Sequence, residues 1–132
     1  PLRYAELLKE KIEQHQSKVY LVNTGWIGGT AASGSIRISI QNTRAMITAI
    51  LDRSIEQSEF ETEPVFGLAF PKSLSGIDSE VLNPRSAWEN SEEYDRQAVA
   101  LAELFSENFI TYGDAVSYLK FAGPLNQNKV AI

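Results

Sequence analysis

The fold is decided by residues 18–40, which read KVYLVNTGWIGGTAASGSIRISI. The first five of these residues are mostly β-branched or aromatic, which predicts one short buried strand. Asn23, Thr24 and Gly25 are typical of a turn, and a loop rich in small residues follows, over residues 25–34. Residues 37–40 then alternate polar with apolar, which is typical of an edge strand or of the lead into a helix.

Helices are predicted on both sides of this stretch. Before it, apolar residues at helical spacing predict an amphipathic helix, with Tyr4, Leu7, Leu8 and Ile12 on one face. After it, Ser39 is a candidate N-cap for a helix whose apolar stripe contains Ile40, Ile47, Ile50 and Leu51. The strongest helix has Asn90 as its cap and Glu93 three residues later, with Ala98, Leu101, Ala102, Phe105 and Phe109 on one face. Gly113 is expected to end it, and a short helix is expected over residues 114–122.

The predicted strands are few. Residues 66–71 look like a second short buried strand that ends at a proline, and residues 72–90 carry the turn residues of a long surface connection. The order of helices and strands is α/β in character, with helices packed on a small incomplete mixed sheet. Residues 1–132 are expected to form a single domain, because no linker divides them. The chain opens on Pro1 and enters a helical pattern almost at once, so we expect a piece of a longer protein.

Composition excludes several classes of protein. Twelve Lys and Arg face 17 Asp and Glu, for a net charge of −5, which makes nucleic acids and anionic membranes poor partners. The absence of cysteine rules out disulfides and thiolate metal sites, and it fits a reducing cytosol. No apolar run approaches the roughly 20 residues of a membrane helix.

Arg37 is the main candidate for chemistry. It lies between the glycine-rich loop and a helix start, where a guanidinium can stack on a purine or bind phosphate oxygens. Thr43 offers a hydroxyl one turn later. The residues alone favour a solvated edge arginine and a helix-filling threonine. The loop itself matches neither a Walker motif nor G-x-G-x-x-G, so an ordinary surface connection is as good an interpretation of it.

The other polar residues favour structural roles. His15 is the only histidine and has no metal-binding partner, so packing or compensation of the helix dipole is expected. The acidic residues Glu56, Glu59, Glu61 and Glu63 lack the pattern of a calcium loop and are expected on a solvated face. Arg85, in a rigid Asn-Pro-Arg turn, is expected to bond backbone carbonyls. No catalytic residue and no metal ligand is predicted in this chain.

Several motifs together carry a resemblance. They are residues 20–29 (YLVNTGWIGG), 37–40 (RISI), 43–47 (TRAMI), 64–69 (PVFGLA) and 82–85 (LNPR), supported by 4–8 (YAELL) and 122–124 (AGP). In this order the chain resembles the C-terminal segment of the ATP-dependent phosphoenolpyruvate carboxykinases. It departs from them at Ser35 and Ile36, where family members usually have Gly-Lys, and residues 125–132 carry no family motif that we recognise.

The resemblance implies an enzyme that converts oxaloacetate and ATP to phosphoenolpyruvate, CO2 and ADP in gluconeogenesis, with Mg2+ and Mn2+, in the cytoplasm. The chain would be the C-terminal part of its mononucleotide-binding domain, packed on the missing upstream part and inactive alone. The implied ATP contacts are Arg37, Ile38, Ser39, Ile40, Gln41, Asn42 and Thr43. Arg37 would pack on the base or ribose, and Thr43 with nearby backbone would bond the purine edge. The P-loop, the metal ligands and the oxaloacetate-binding arginine of the family would lie upstream.

Two other hypotheses remain beside the enzyme segment. A stand-alone module could keep the nucleotide groove without catalysis, or the segment could only complete its parent's fold. Binding of ATP by the isolated chain would separate the first of these from an enzyme segment, and the effect of removing the Arg37 side chain would separate the second.

Overall fold

The computed structural model describes residues 2–29 and 35–125. The chain begins with helix α1 (Leu2–His15), followed by strands β1 (Trp26–Ile27) and β2 (Ile36–Arg37) and helix α2 (Ile40–Leu51). A 3₁₀ turn (Ser54–Gln57) leads to strands β3 (Phe60–Thr62) and β4 (Ala69–Pro71). Helices α3 (Ser79–Leu82) and α4 (Ser91–Ile110) and a 3₁₀ helix (Asp114–Ala122) complete it. The α/β character and the positions of the main helices are confirmed.

The predicted mixed sheet is wrong for the described residues. They form two separate two-stranded antiparallel sheets, β1 with β2 and β3 with β4. Trp26 lies opposite Arg37 in the first, and Phe60 lies opposite Pro71 in the second. Among residues 2–29 and 35–125, no further strand pairs with either sheet.

The predicted strand over residues 18–22 is also not formed. The segment has no regular secondary structure, and the side chains of Val19 and Leu21 are 62% and 83% exposed. A strand is stable only when its N–H and C=O groups meet a neighbouring strand. Its composition therefore fits a buried strand for which the described residues supply no partner.

Helix α1 has the predicted apolar face, but none of its residues is buried. Tyr4, Leu7 and Leu8 are exposed. Lys9 on this helix makes a cation–π contact with a distant element, since its Nζ lies 5.8 Å from the centre of the Tyr118 ring. An amphipathic helix normally buries its apolar face on another element. This face of α1 is uncovered.

The predicted cap of α2 is confirmed. The Ser39 hydroxyl accepts a hydrogen bond from the backbone N–H of Asn42 at 3.0 Å, and the helix ends before Arg53, which has a left-handed φ of 65°. The expected apolar stripe is not covered, since Ile40 and Leu51 are exposed and only Ala49 of this helix is buried.

The β3–β4 hairpin corrects two expectations. The second predicted strand is shorter than residues 66–71, since it begins only at Ala69, and it is only partly buried. Glu63, expected on a solvated face, is only 8% exposed. Its carboxylate accepts hydrogen bonds from the backbone N–H groups of Val65 (3.0 Å) and Phe66 (2.6 Å). These bonds satisfy donors that the tight turn would otherwise leave unpaired.

A core cluster joins this turn to helix α4. Val65 packs with Ala98 and Ala102, and Phe66 and Tyr94 lie against them. The Phe66 ring meets Phe105 edge-on at 6.0 Å between centroids. The predicted stripe of α4 is therefore buried at its alanines, whereas Leu101 and Phe105 remain about half exposed.

Both ends of α4 follow the prediction. The Asn90 side chain accepts hydrogen bonds from the N–H groups of Glu92 at 3.0 Å and Glu93 at 3.3 Å. After the helix, Gly113 has a φ of 72° and donates its N–H to Ile110 O at 3.1 Å. Glycine adopts that conformation without the penalty a side chain would bring.

The molecule exposes far more surface than its mass requires. The whole chain exposes 10262 Å², whereas a compact monomer of 14.7 kDa exposes about 6,900 Å². Within residues 2–29 and 35–125, no large side chain is fully buried. None of the helices in that part is long and apolar enough to cross a membrane.

Replacement of the α4 cap tests the local basis of this fold. Asn90→Ala removes both cap hydrogen bonds, so we expect the free energy of unfolding to fall by about 1 kcal/mol, whereas Asn90→Asp should keep most of it. Urea denaturation followed by circular dichroism measures the difference. Equal stability of all three proteins would show that the cap contributes nothing.

Candidate functional site

The predicted ATP-contacting segment, residues 37–43, runs from the end of β2 into the first turn of α2. Arg37 is exposed, and none of the acidic residues in the described part of the chain forms an ion pair with it. A guanidinium at a strand end, without a carboxylate partner, is available to an external ligand.

Ile38 fixes the backbone on which Arg37 stands. Its side chain is 7% exposed, and its N–H donates to Gly25 O at 2.9 Å. The Ile38 side chain is thus a core element, and any contact it makes with a ligand would come from its backbone. Ile40 and Gln41, at the start of α2, both point into solvent.

The hydroxyl groups of this segment already form the helix start. Ser39 Oγ accepts from Asn42 N–H, and Thr43 Oγ1 donates to Ser39 O at 3.1 Å. The proton of Thr43 is therefore engaged, but a hydroxyl oxygen has two lone pairs. Thr43 can accept a hydrogen bond from a ligand N–H without giving up its own bond.

The glycine-rich loop is held by a close backbone approach. Gly28 has a φ of 82°, and a Cβ at this position would lie 2.9 Å from the backbone oxygen of Ala87. Any side chain there would collide with the carbonyl and would be strained by the positive φ. The loop thus contacts the 83–88 turn. A glycine at position 28 is consistent with such a close approach, but the sequence did not identify the turn as the partner. The loop residues 30–34 lie outside the described residues.

The 83–88 turn is fastened to α4. Arg85 was expected to bond backbone carbonyls; instead its Nε and Nη2 bind Asp95 Oδ1 and Oδ2 at 2.8 and 2.9 Å. The hydrogen bond from Arg85 lowers the pKa of Asp95 below its usual value. Asn83 Oδ1 accepts from Arg85 N–H at 3.0 Å, which also caps the turn. The partners are ten residues apart, and sequence spacing alone could not pair them.

A cavity of about 350 Å³ lies elsewhere, at the junction of residues 16–20 with the end of α2, and none of residues 37–43 lines it. Glu56 on its wall pairs with Lys18 at 2.8 Å and with Arg53 Nε at 3.0 Å. Hydrogen bonds from Arg53 and then Lys18 lower the pKa of Glu56 to about 2. Through Lys18 and Glu56, segment 18–22, which has no strand partner among the described residues, is joined to the residues that follow α2.

The described residues hold no group of three or more His, Cys, Asp or Glu side chains that could bind a metal ion. Glu63 is occupied by backbone donors, and Glu59 pairs with Lys72 at 3.2 Å. The half-buried Tyr94 has its pKa raised to about 12, by burial and then by the nearby charge of Glu63. This part of the chain therefore does not fit a divalent metal centre.

Comparison with known proteins gives a consistent result. The family model for phosphoenolpyruvate carboxykinase, of the ATP type, matches residues 1–80. The chain is 46% identical over 124 residues to the phosphoenolpyruvate carboxykinase (ATP) of Caldanaerobacter subterraneus, covering 94% of this chain and 24% of that protein. It is 53% identical over 112 residues to the Sulfurimonas denitrificans protein of the same name, covering 85% of this chain and 21% of that protein. The chain thus spans about a quarter of the length of these curated relatives.

The Glu56 cluster gives a pH prediction. A carboxyl pKa lowered from 4.5 to about 2 means that its stabilising effect is complete above about pH 4.5 and is lost as the pH falls towards 2. Carboxyl chemical shifts measured by NMR against pH should place the Glu56 midpoint near 2. Arg53→Ala should raise this midpoint more than Lys18→Ala does. A midpoint near 4.5 in the unmodified chain would contradict the ion-pair geometry.

Proposed function

This chain belongs to the ATP-dependent phosphoenolpyruvate carboxykinase family, and from that premise we propose that it is the C-terminal part of such an enzyme. The whole enzyme converts oxaloacetate and ATP to phosphoenolpyruvate, CO2 and ADP in the cytoplasm, at the entry to gluconeogenesis. Residues 1–132 complete its nucleotide-binding lobe and are inactive alone. Neither nucleic acid nor a membrane is a partner of this part, in keeping with its net charge of −5.

The chain's own contribution is contact with adenosine, through residues 37–43. The observation that carries this proposal is the exposed guanidinium of Arg37, which has no carboxylate partner in the described residues and stands where the family motif R-I-S-I meets a helix start. A planar guanidinium can stack on a purine or bond a ribose oxygen. The hydrogen bond from Ile38 N–H to Gly25 O fixes the backbone beneath it.

Thr43 supplies the second adenosine contact. Because Thr43 Oγ1 donates to Ser39 O, it faces a ligand as an acceptor. The group on a purine edge that suits it is the exocyclic amine of adenine, a donor that guanine lacks at that position. Backbone atoms of residues 37–40 add further polar groups for the ligand. At Ile38 only the backbone is available for this, because its side chain is buried in the core.

The reacting phosphates are bound by another part of the enzyme. The sequence has no G-x-x-x-x-G-K-[ST] motif, and the described residues do not fit a metal centre. Mg2+ and Mn2+ would bind to groups upstream and supply charge neutralisation at the phosphates. Ile36, where family members usually have lysine, is 73% exposed, so this loop brings one cation fewer to the nucleotide.

The upstream part of the enzyme also covers the apolar surface of this chain. Residues 18–22 have no regular secondary structure, with Val19 and Leu21 exposed, and their strand-like composition suits a place beside a neighbouring strand. The open apolar faces of α1 and α2 suit contacts on either side of the same sheet. The small hairpins would then lie at the edges of a larger sheet of the whole enzyme.

Replacement of Arg37 in the whole enzyme tests the adenosine contact. Arg37→Ala removes the stacking and hydrogen-bonding group, so the KM for ATP should rise about tenfold, equivalent to about 1.4 kcal/mol. Arg37→Lys keeps the charge but not the planar fork, so its KM for ATP should lie between those of the unmodified enzyme and of Arg37→Ala. Steady-state kinetics with ATP as the varied substrate measures the effect. An unchanged KM with intact stability would leave this segment a structural element only.

The isolated chain should bind ATP poorly. It offers base and ribose contacts without phosphate ligands, so titration calorimetry should give a dissociation constant of roughly 1 mM or weaker. Micromolar binding by these 132 residues would favour a stand-alone nucleotide-binding module over an enzyme segment.

A further inference from the structure

The turn at residues 83–88 holds no residue of the proposed adenosine site, yet it touches the loop that leads to that site. We infer that Arg85 and Asp95 are positioning residues, whose ion pair fixes the Gly28 loop and through it the Arg37 strand. The inference rests on the proposed function for its effect on ATP, although the mechanical coupling can be tested without nucleotide.

The first step is the geometry of the ion pair. Two parallel hydrogen bonds of 2.8 and 2.9 Å join the Arg85 guanidinium to both oxygens of Asp95, which defines orientation as well as distance. Each side chain is 49% exposed, so the pair contributes little to global stability. A rigid surface fork of this kind suits local positioning better than stabilisation of the fold.

The second step is the rigidity of the turn. Asn83 Oδ1 accepts from the N–H of Arg85, Pro84 restricts the backbone, and Trp88 N–H donates to Arg85 O at 3.3 Å. The Trp88 ring then meets Tyr94 edge-on at 5.9 Å. The turn is therefore attached to α4 at two neighbouring residues, Tyr94 and Asp95.

The third step is the anchoring of α4. Ala98, one helical turn after Tyr94, and Ala102 are among the most buried residues of the chain, and both pack with Val65. The turn is thus fixed to the best-packed part of the described residues, rather than to another surface loop.

The fourth step joins the turn to the site. Ala87 O lies so close to Gly28 that a Cβ there would be 2.9 Å away, so a shift of the turn towards the loop must move the loop. Gly28 directly follows β1, in which Trp26 is the antiparallel partner of Arg37. The position of the Ala87 carbonyl therefore constrains the position of β1 and, through the pairing of β1 with β2, that of the strand that carries Arg37.

Loss of the ion pair should alter nucleotide binding but not the chemical step. In the whole enzyme, Arg85→Ala and Asp95→Asn should each raise the KM for ATP about two- to fivefold, the range of one exposed ion pair, with kcat unchanged. The exchanged pair Arg85→Asp with Asp95→Arg should restore much of the loss. Lys72→Ala is the matched control, because it breaks the exposed Lys72–Glu59 pair on the β3–β4 hairpin and should leave the KM unchanged.

Hydrogen–deuterium exchange of the same variants without nucleotide supplies the independent readout. Arg85→Ala and Asp95→Asn should speed exchange in residues 25–29 and 36–38, above all at the Ile38 amide that donates to Gly25 O, and Lys72→Ala should not. Unchanged exchange there in the folded Asp95→Asn protein, which keeps the side-chain shape, would overturn the inference. If exchange responds but Arg37→Ala leaves the KM for ATP unchanged, the coupling stands and the adenosine assignment fails.

Discussion

Large apolar side chains on the helices of this chain stay in solvent because, in the part that the structure describes, no second layer of elements covers them. Ile110 at the end of α4 is 76% exposed, and none of α1 is buried. A free-standing domain of this size would bury its apolar faces between two layers. The exposed faces, the short hairpins, the segment 18–22 without a described strand partner and the small core are consistent with the proposal that this piece packs on a larger body.

Local interactions maintain the shape that the chain does have. Ser39 and Asn90 cap the two main helices, the Glu63 carboxylate satisfies the N–H groups of a tight turn, and the Arg85–Asp95 fork binds a turn to α4. Each acts over a few residues or between neighbouring elements. The proposed adenosine segment, residues 37–43, benefits from this arrangement, because its backbone is fixed by a helix cap and a hairpin even though the surrounding sheet is small.

Helices and caps were predictable because their determinants lie within a few residues. The Asn90 cap and the limits of α4 followed from composition and spacing, and Ser39 from its place before an apolar stripe. The prediction of a strand over residues 18–22 was wrong for this chain. Strand formation depends on a partner that is remote in sequence, which local composition does not reveal. The burial of Glu63 and the pairing of Arg85 with Asp95 also required tertiary contacts. For the proposed site, Arg37 and Thr43 stay predictions from the sequence, and the hydrogen bond that Thr43 Oγ1 donates to Ser39 O was not predicted from it.

Hydrogen–deuterium exchange of residues 18–22, compared between the 132-residue chain and the whole enzyme, measures most directly whether a larger body completes this fold. The amides should exchange quickly in the isolated chain, where the described residues offer them no ladder partner, and slowly in the enzyme, where a neighbouring strand would bind them. Equally fast exchange in the isolated chain and in the whole enzyme would contradict the view that residues 18–22 form a sheet strand in the enzyme.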